Sequence, residues 1–128
     1  MKHKYLISID FDNSIPRTNY PTILEPIKET VDFIRALQKH SNAFMWVLNT
    51  CRQGKELEEA LEWLEKNQLY PDLVNENAVA NEIKFGKSDK ISALIYIDDR
   101  NYGGLKVPDP ETFFDEFEKE QQRKEDKK

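Results

Sequence analysis

The chain reads as one α/β domain, a parallel sheet with helices on both faces, three layers deep. Strand-length apolar runs, LISID, FMWVLN and ALIYID, alternate with stretches whose apolar residues recur at helical spacing. Strands separated by helices form βαβ units, whose crossovers make neighbouring strands parallel and lay helices on the sheet. At 128 residues there is room for one such domain and its core, and none for a second.

Residues 4 to 9 are apolar and β-prone and predict a buried first strand. Asn13 to Pro26 contains Pro16, Pro21 and Pro26 and reads as an irregular loop or flap. Ile27, Val31, Ile34 and Leu37 share one helix face, with Glu25 and Pro26 suited to the first turn. Residues 43 to 49 form the second strand. Gly54 opens a second helix, striped by Leu57, Leu61 and Leu64 and widened by Ala60 and Trp63. Asp72 to Asn75 has the makings of a short third strand. The polar stretch from 75 to 90 offers a turn of helix near Ala78 to Glu82, broken by Gly86. Ala93 to Ile97 is the last strand. Asp109 and Pro110 suit the cap and first position of a closing helix faced by Phe113, Phe114 and Phe117. The domain so drawn spans 1–114, and 115–128 is a charged helix end or tail.

Composition narrows the function. A net charge of −5 argues against a nucleic-acid binder that relies on a basic face. A phosphorylated substrate remains compatible, because a bound metal reverses the local potential. Cys51 is the only cysteine, and His3 and His40 are far apart, so neither an internal disulfide nor a Cys/His zinc cage can form. The opening apolar run is too short for a signal peptide, and nothing approaches a membrane span. A soluble cytoplasmic protein with no membrane or nucleic-acid partner is expected; monomer and homo-oligomer both stay open.

Each strong run ends on polar residues: Asp10 and Asp12 around Phe11, then Asn49-Thr50, then Asp98-Asp99. In a parallel sheet those ends share one edge, where open α/β sheets bind ligands. Four carboxylates gathered there repel one another and want a divalent cation, and Mg²⁺ prefers such oxygen ligands. An aspartate can also attack phosphorus, and a neighbouring one can move protons. Thr50 can donate to a phosphate oxygen, Arg52 can clasp one bidentately, and Asn13 and Asn49 can orient substrate oxygens. Among Lys84, Lys87 and Lys90, Lys90 is nearest the last strand and is the first choice to neutralise a phosphoryl group. Taken singly, each of these is also what an ordinary turn after a strand carries. Cys51 reads as a small packing residue, because its adjacency to Arg52 leaves no phosphate-cradling loop.

In order and placement, the segments IDFDNS, LNT, SDK and YIDDRN resemble the four motifs of the haloacid dehalogenase-like hydrolase superfamily. The resemblance spans roughly residues 4 to 106 and looks nearest to small capless bacterial members whose IDDRN is followed by a glycine pair, here Gly103-Gly104. It implies a Rossmann-like sheet and a Mg²⁺-dependent phosphomonoester hydrolase. Asp10 would become the aspartyl-phosphate, and Asp12 would serve as general acid, then base. Thr50 and Lys90 would hold phosphoryl oxygens. Asp98 and Asp99 would ligate Mg²⁺ beside Asp10 and Asp12, the latter through its backbone carbonyl. Where the family commonly continues Gly-Thr after the second aspartate, this chain has Asn13-Ser14; asparagine tolerates left-handed angles and serine keeps the hydroxyl.

The 37 residues between Asp12 and Thr50, and the 39 between Thr50 and Lys90, are too few for a separate cap domain. An open site suits a small or a large phosphorylated substrate. The competing reading is a non-catalytic or receiver-like phosphoacceptor on the same kind of fold, although receivers place their acceptor aspartate on a middle strand, where this chain has Asn49-Thr50. A metal nuclease, which would cleave diesters, fits the acidic charge less well.

Overall fold

A computed structural model describes residues 4–76 and 93–126. The elements follow as β1 (Tyr5–Asp10), β2 (Pro16–Asn19), β3 (Thr22–Pro26), α1 (Lys28–Lys39), β4 (Phe44–Asn49), α2 (Gly54–Lys66), β5 (Leu73–Val74), β6 (Ile95–Ile97) and α3 (Pro110–Asp126). The central sheet is parallel in the order β5-β4-β1-β6, a small Rossmann-like α/β fold. From β1 the chain steps outward to β4 and then β5, and β6 lies on the other flank of β1. The reversal falls between β1 and β6, where ligands settle in folds of this kind.

Register carries that topology to the site. Ile9 pairs with Leu48 on one side and Ile97 on the other, and Asp10 pairs with Asn49. Strands in step end in step, so Asp10, Thr50 and Asp98 emerge along one edge.

Alternation in β1 and β4 buries both faces of the sheet. Ile7, Ile9, Phe44, Trp46 and Leu48 join Phe33, Ile34 and Leu37 of α1 and Ala60 and Leu64 of α2 in the main core. The rings of Phe113, Phe114 and Phe117 on α3 close over Phe44, with centroids 5.6, 5.5 and 4.9 Å away. Leu6 and Val47, with Met45, Leu73 and Ala93, form a smaller cluster on the opposite face. Among the described residues, then, the helices pack on one face; the helical turn expected near Ala78 to Glu82 lies outside the described residues.

Two elements differ from their sequence-based expectation. The flap is an ordered antiparallel hairpin, β2 with β3, in which Pro16 pairs with Pro26 and the Tyr20–Pro21 peptide at the tip is cis. Proline is tolerated there because a two-stranded ribbon leaves outward N–H positions without partners. Glu25 and Pro26 belong to β3 rather than to the first helical turn. The Ile27 N–H donates to the Ile15 carbonyl at 2.8 Å, holding the chain on the hairpin until α1 begins. At the other end α3 stays helical to Asp126, helped by the Asp115–Lys119 and Glu120–Arg123 pairs, each at 2.9 Å. Its start is as expected: Asp109 accepts from the Thr112 N–H and hydroxyl at 3.1 and 3.0 Å. Among the described residues no helix is long and apolar enough to cross a membrane.

Candidate active site

A crevice of about 450 Å³ opens at the carboxyl edge of β1, β4 and β6. Asp10, Asp12, Asn13, Asn49, Thr50, Arg52, Asp98 and Asp99 all line it, so most of the residues singled out from sequence meet in one place. Lys84, Lys87 and Lys90 lie outside the described residues.

Asp10, Asp98 and Asp99 form its acidic centre. Each contributes one carboxylate oxygen to a group whose members all lie within 4.8 Å of one another. Burial pushes the Asp10 carboxyl up to about 7, and the negative charges of Asp98, Asp99 and Asp12 push the same way. Asp99 is raised too, by burial and then by its hydrogen bond and charge interaction with Asp98. An all-oxygen, anionic donor set whose members destabilise one another fits a hard divalent cation such as Mg²⁺, whose charge would relieve the repulsion.

The Asp12 side chain departs from the expected four-carboxylate cluster. Its oxygens accept from Arg52 Nη2 at 2.7 Å and Nε at 2.9 Å. Burial alone would raise this carboxyl, but the Arg52 hydrogen bonds and charge outweigh it and hold Asp12 below the usual carboxylate range. Arg52 correspondingly does not point a free fork at a phosphate. It is only 1% exposed, donates to the carbonyls of Pro21 and Glu56 at 3.1 and 3.2 Å, and lies 5.0 Å from the ring centroids of both Phe11 and Tyr20. A forty-residue separation in sequence hides the pair: nothing in either segment alone announces it.

The supporting loops explain the departures in the first motif. Asn13 has φ +58°, the left-handed region that asparagine tolerates, and its Oδ1 accepts from the Thr18 N–H at 3.0 Å. The buried Ser14 hydroxyl oxygen accepts from the Asp99 N–H at 3.1 Å, joining the β1 loop to the loop after β6. Thr50 donates its N–H to Asn75 Oδ1 at 2.8 Å, and its hydroxyl oxygen accepts from the Arg52 N–H at 3.1 Å. The hydroxyl hydrogen of Thr50 therefore remains available to a ligand. Asn49 stands exposed at the rim.

Cys51 is exposed and lines the crevice, contrary to a packing role, because strand alternation has ended before it. Tyr20 and Arg100 also line the crevice and were not singled out from sequence. Arg100 follows the acidic pair directly, and its N–H donates to Asp98 Oδ1 at 2.9 Å. Tyr20 carried one legible signal, the single aromatic residue of the flap.

No protein-family model matches this chain. No curated protein matches it either. Among solved structures it is similar to a conserved protein from Bacteroides thetaiotaomicron, with a TM-score of 0.71 and 30% identity, covering 92% of this chain and 93% of the other. At that identity over nearly the full length of both, the chain belongs to the same family as this conserved protein.

Proposed function

We propose that the chain is a Mg²⁺-dependent phosphomonoester hydrolase that works through an aspartyl-phosphate on Asp10. The observation that carries the reading is the meeting of Asp10, Asp98 and Asp99 within 4.8 Å, beside Thr50, at the edge where the strand order reverses. A cation bound by Asp10, Asp98, Asp99 and the Asp12 backbone carbonyl would neutralise the carboxylates and polarise a phosphoryl oxygen.

The chain's own residues do the rest. An Asp10 oxygen attacks phosphorus while the ester P–O bond breaks, and the leaving oxygen keeps the bonding pair and takes a proton from the Asp12 carboxyl. The Thr50 hydroxyl donates to a phosphoryl oxygen, and Lys90 is assigned the same task. Water, losing its proton to Asp12, then attacks the phosphorus, which releases inorganic phosphate and restores Asp10. Clasped by Arg52, Asp12 is ionised at rest, which suits this second, basic step; donating in the first step requires that the clasp loosen and that Asp12 first take up a proton from solvent.

The same clasp favours a second reading, a phosphoacceptor module in which the adduct on Asp10 persists. Turnover of p-nitrophenyl phosphate with Mg²⁺ separates the two. The hydrolase reading expects steady release that EDTA stops and that Asp10→Asn abolishes. Unchanged activity in Asp10→Asn would remove the nucleophile, and a stable adduct without release would favour the module.

A further inference from the structure

We propose that Tyr20 is a specificity-determining stacking platform, so that the substrates are phosphomonoesters carrying a planar aromatic group, an aryl or a nucleoside. The inference rests on the phosphohydrolase reading of the crevice and names its substrate class.

The argument begins with what holds the ring. Tyr20 sits at the hairpin tip, beside Pro21. One side of the ring lies over the Arg52 guanidinium, 5.0 Å from carbon to centroid, and the same guanidinium donates to the Pro21 carbonyl at 3.1 Å. Arg52 is itself fixed, being buried, stacked on Phe11 and paired with Asp12. The tip is thus fastened to the body of the domain through a side chain that has almost no freedom of its own.

Tyr20 is nonetheless 62% exposed and lines the crevice that contains the acidic centre. A lone exposed tyrosine needs no explanation. One braced from behind by a buried arginine is different, because its ordering cost has been met before any ligand arrives. It is also the one aromatic lining the crevice among the described residues; the others there are acids, amides, a threonine, a cysteine and arginines. Nothing else in that lining offers a flat apolar face to the group a phosphate leaves behind. The crevice volume suits one phosphoryl group with one ring system.

The test compares 1-naphthyl phosphate, adenosine 5′-monophosphate and glycerol 2-phosphate under steady-state conditions with Mg²⁺. The variants are Tyr20→Phe, Tyr20→Leu and Tyr20→Ala. The wild type is expected to show a KM about tenfold lower for an aromatic ester than for glycerol 2-phosphate, the worth of one stacked ring. Tyr20→Phe keeps that preference. Tyr20→Leu, which still covers Arg52, loses it as fully as Tyr20→Ala. Which aromatic ester shows the lower KM distinguishes aryl from nucleoside. Equal KM values in the wild type, or a preference that survives in Tyr20→Leu, overturn the inference while leaving the hydrolase reading intact. If no ester is hydrolysed, calorimetric titration of the same three decides: tighter binding of the aromatic ones upholds the platform while the hydrolase reading fails, and absence of that difference ends both.

Discussion

Replacing Arg52 with methionine tests the clasp on Asp12. Methionine keeps much of the volume between Phe11 and Tyr20 but deletes two hydrogen bonds to Asp12 and one each to the Pro21 and Glu56 carbonyls. Breaking a buried ion pair from one side costs about 3–5 kcal/mol, because the surviving charge stays behind. Here the Asp12 side chain is 25% exposed, so water reaches the freed carboxylate and the low end applies, about 3 kcal/mol. That is a large share of the roughly 5–15 kcal/mol that stabilises a domain, so the variant folds but with a visibly lower midpoint. Urea unfolding followed through Trp46 and Trp63 fluorescence measures the loss. Adding Asp12→Asn removes the stranded charge and is expected to restore about 1–2 kcal/mol, a coupling in the range found for contacting pairs. Asp12 has a folded pKa below its unfolded one, so the pair's contribution is present above the unfolded value and fades as pH falls through the folded one. The gap between wild type and Arg52→Met therefore narrows below about pH 4. A loss under about 1 kcal/mol at neutral pH, or no coupling to Asp12, would refute the reasoning.

Two further effects follow from the acidic centre. Asp10 is raised to about 7, so without metal its contribution to stability is full at low pH and drains away as pH climbs from about 4 through 7; Asp10→Asn flattens that slope in thermal melts, and an unaltered slope contradicts the assignment. Ser14→Ala leaves the Asp99 N–H without its acceptor, which costs about 1–3 kcal/mol and weakens Mg²⁺ binding measured by calorimetry, whereas wild-type affinity would show that the Ser14 link does not position Asp99.

The parts of the fold legible in sequence were those where one local rule decides. β1, β4 and β6 stand out as apolar runs cut off by acids, α2 begins at Gly54, and Asp109 caps α3. The hairpin was not legible, because prolines that forbid a central strand are harmless at the margins of a two-stranded ribbon. Within the site, the carboxylate positions follow from strand ends and register, which a sequence pattern carries. The fate of Arg52 does not, since its partners Asp12, Pro21 and Tyr20 are contributed by a distant loop whose path was unreadable. Exposure of Cys51 was missed for a related reason: alternation stops where the strand stops.

The most direct measurement is a crystal structure of the chain grown with Mg²⁺ and beryllium fluoride, a mimic of the phosphoryl group. A beryllofluoride attached to the Asp10 carboxylate, within reach of the Thr50 hydroxyl and beside an ion held by Asp98 and Asp99, is the expected result. An ion bound elsewhere, or beryllofluoride that leaves Asp10 untouched, would contradict the account.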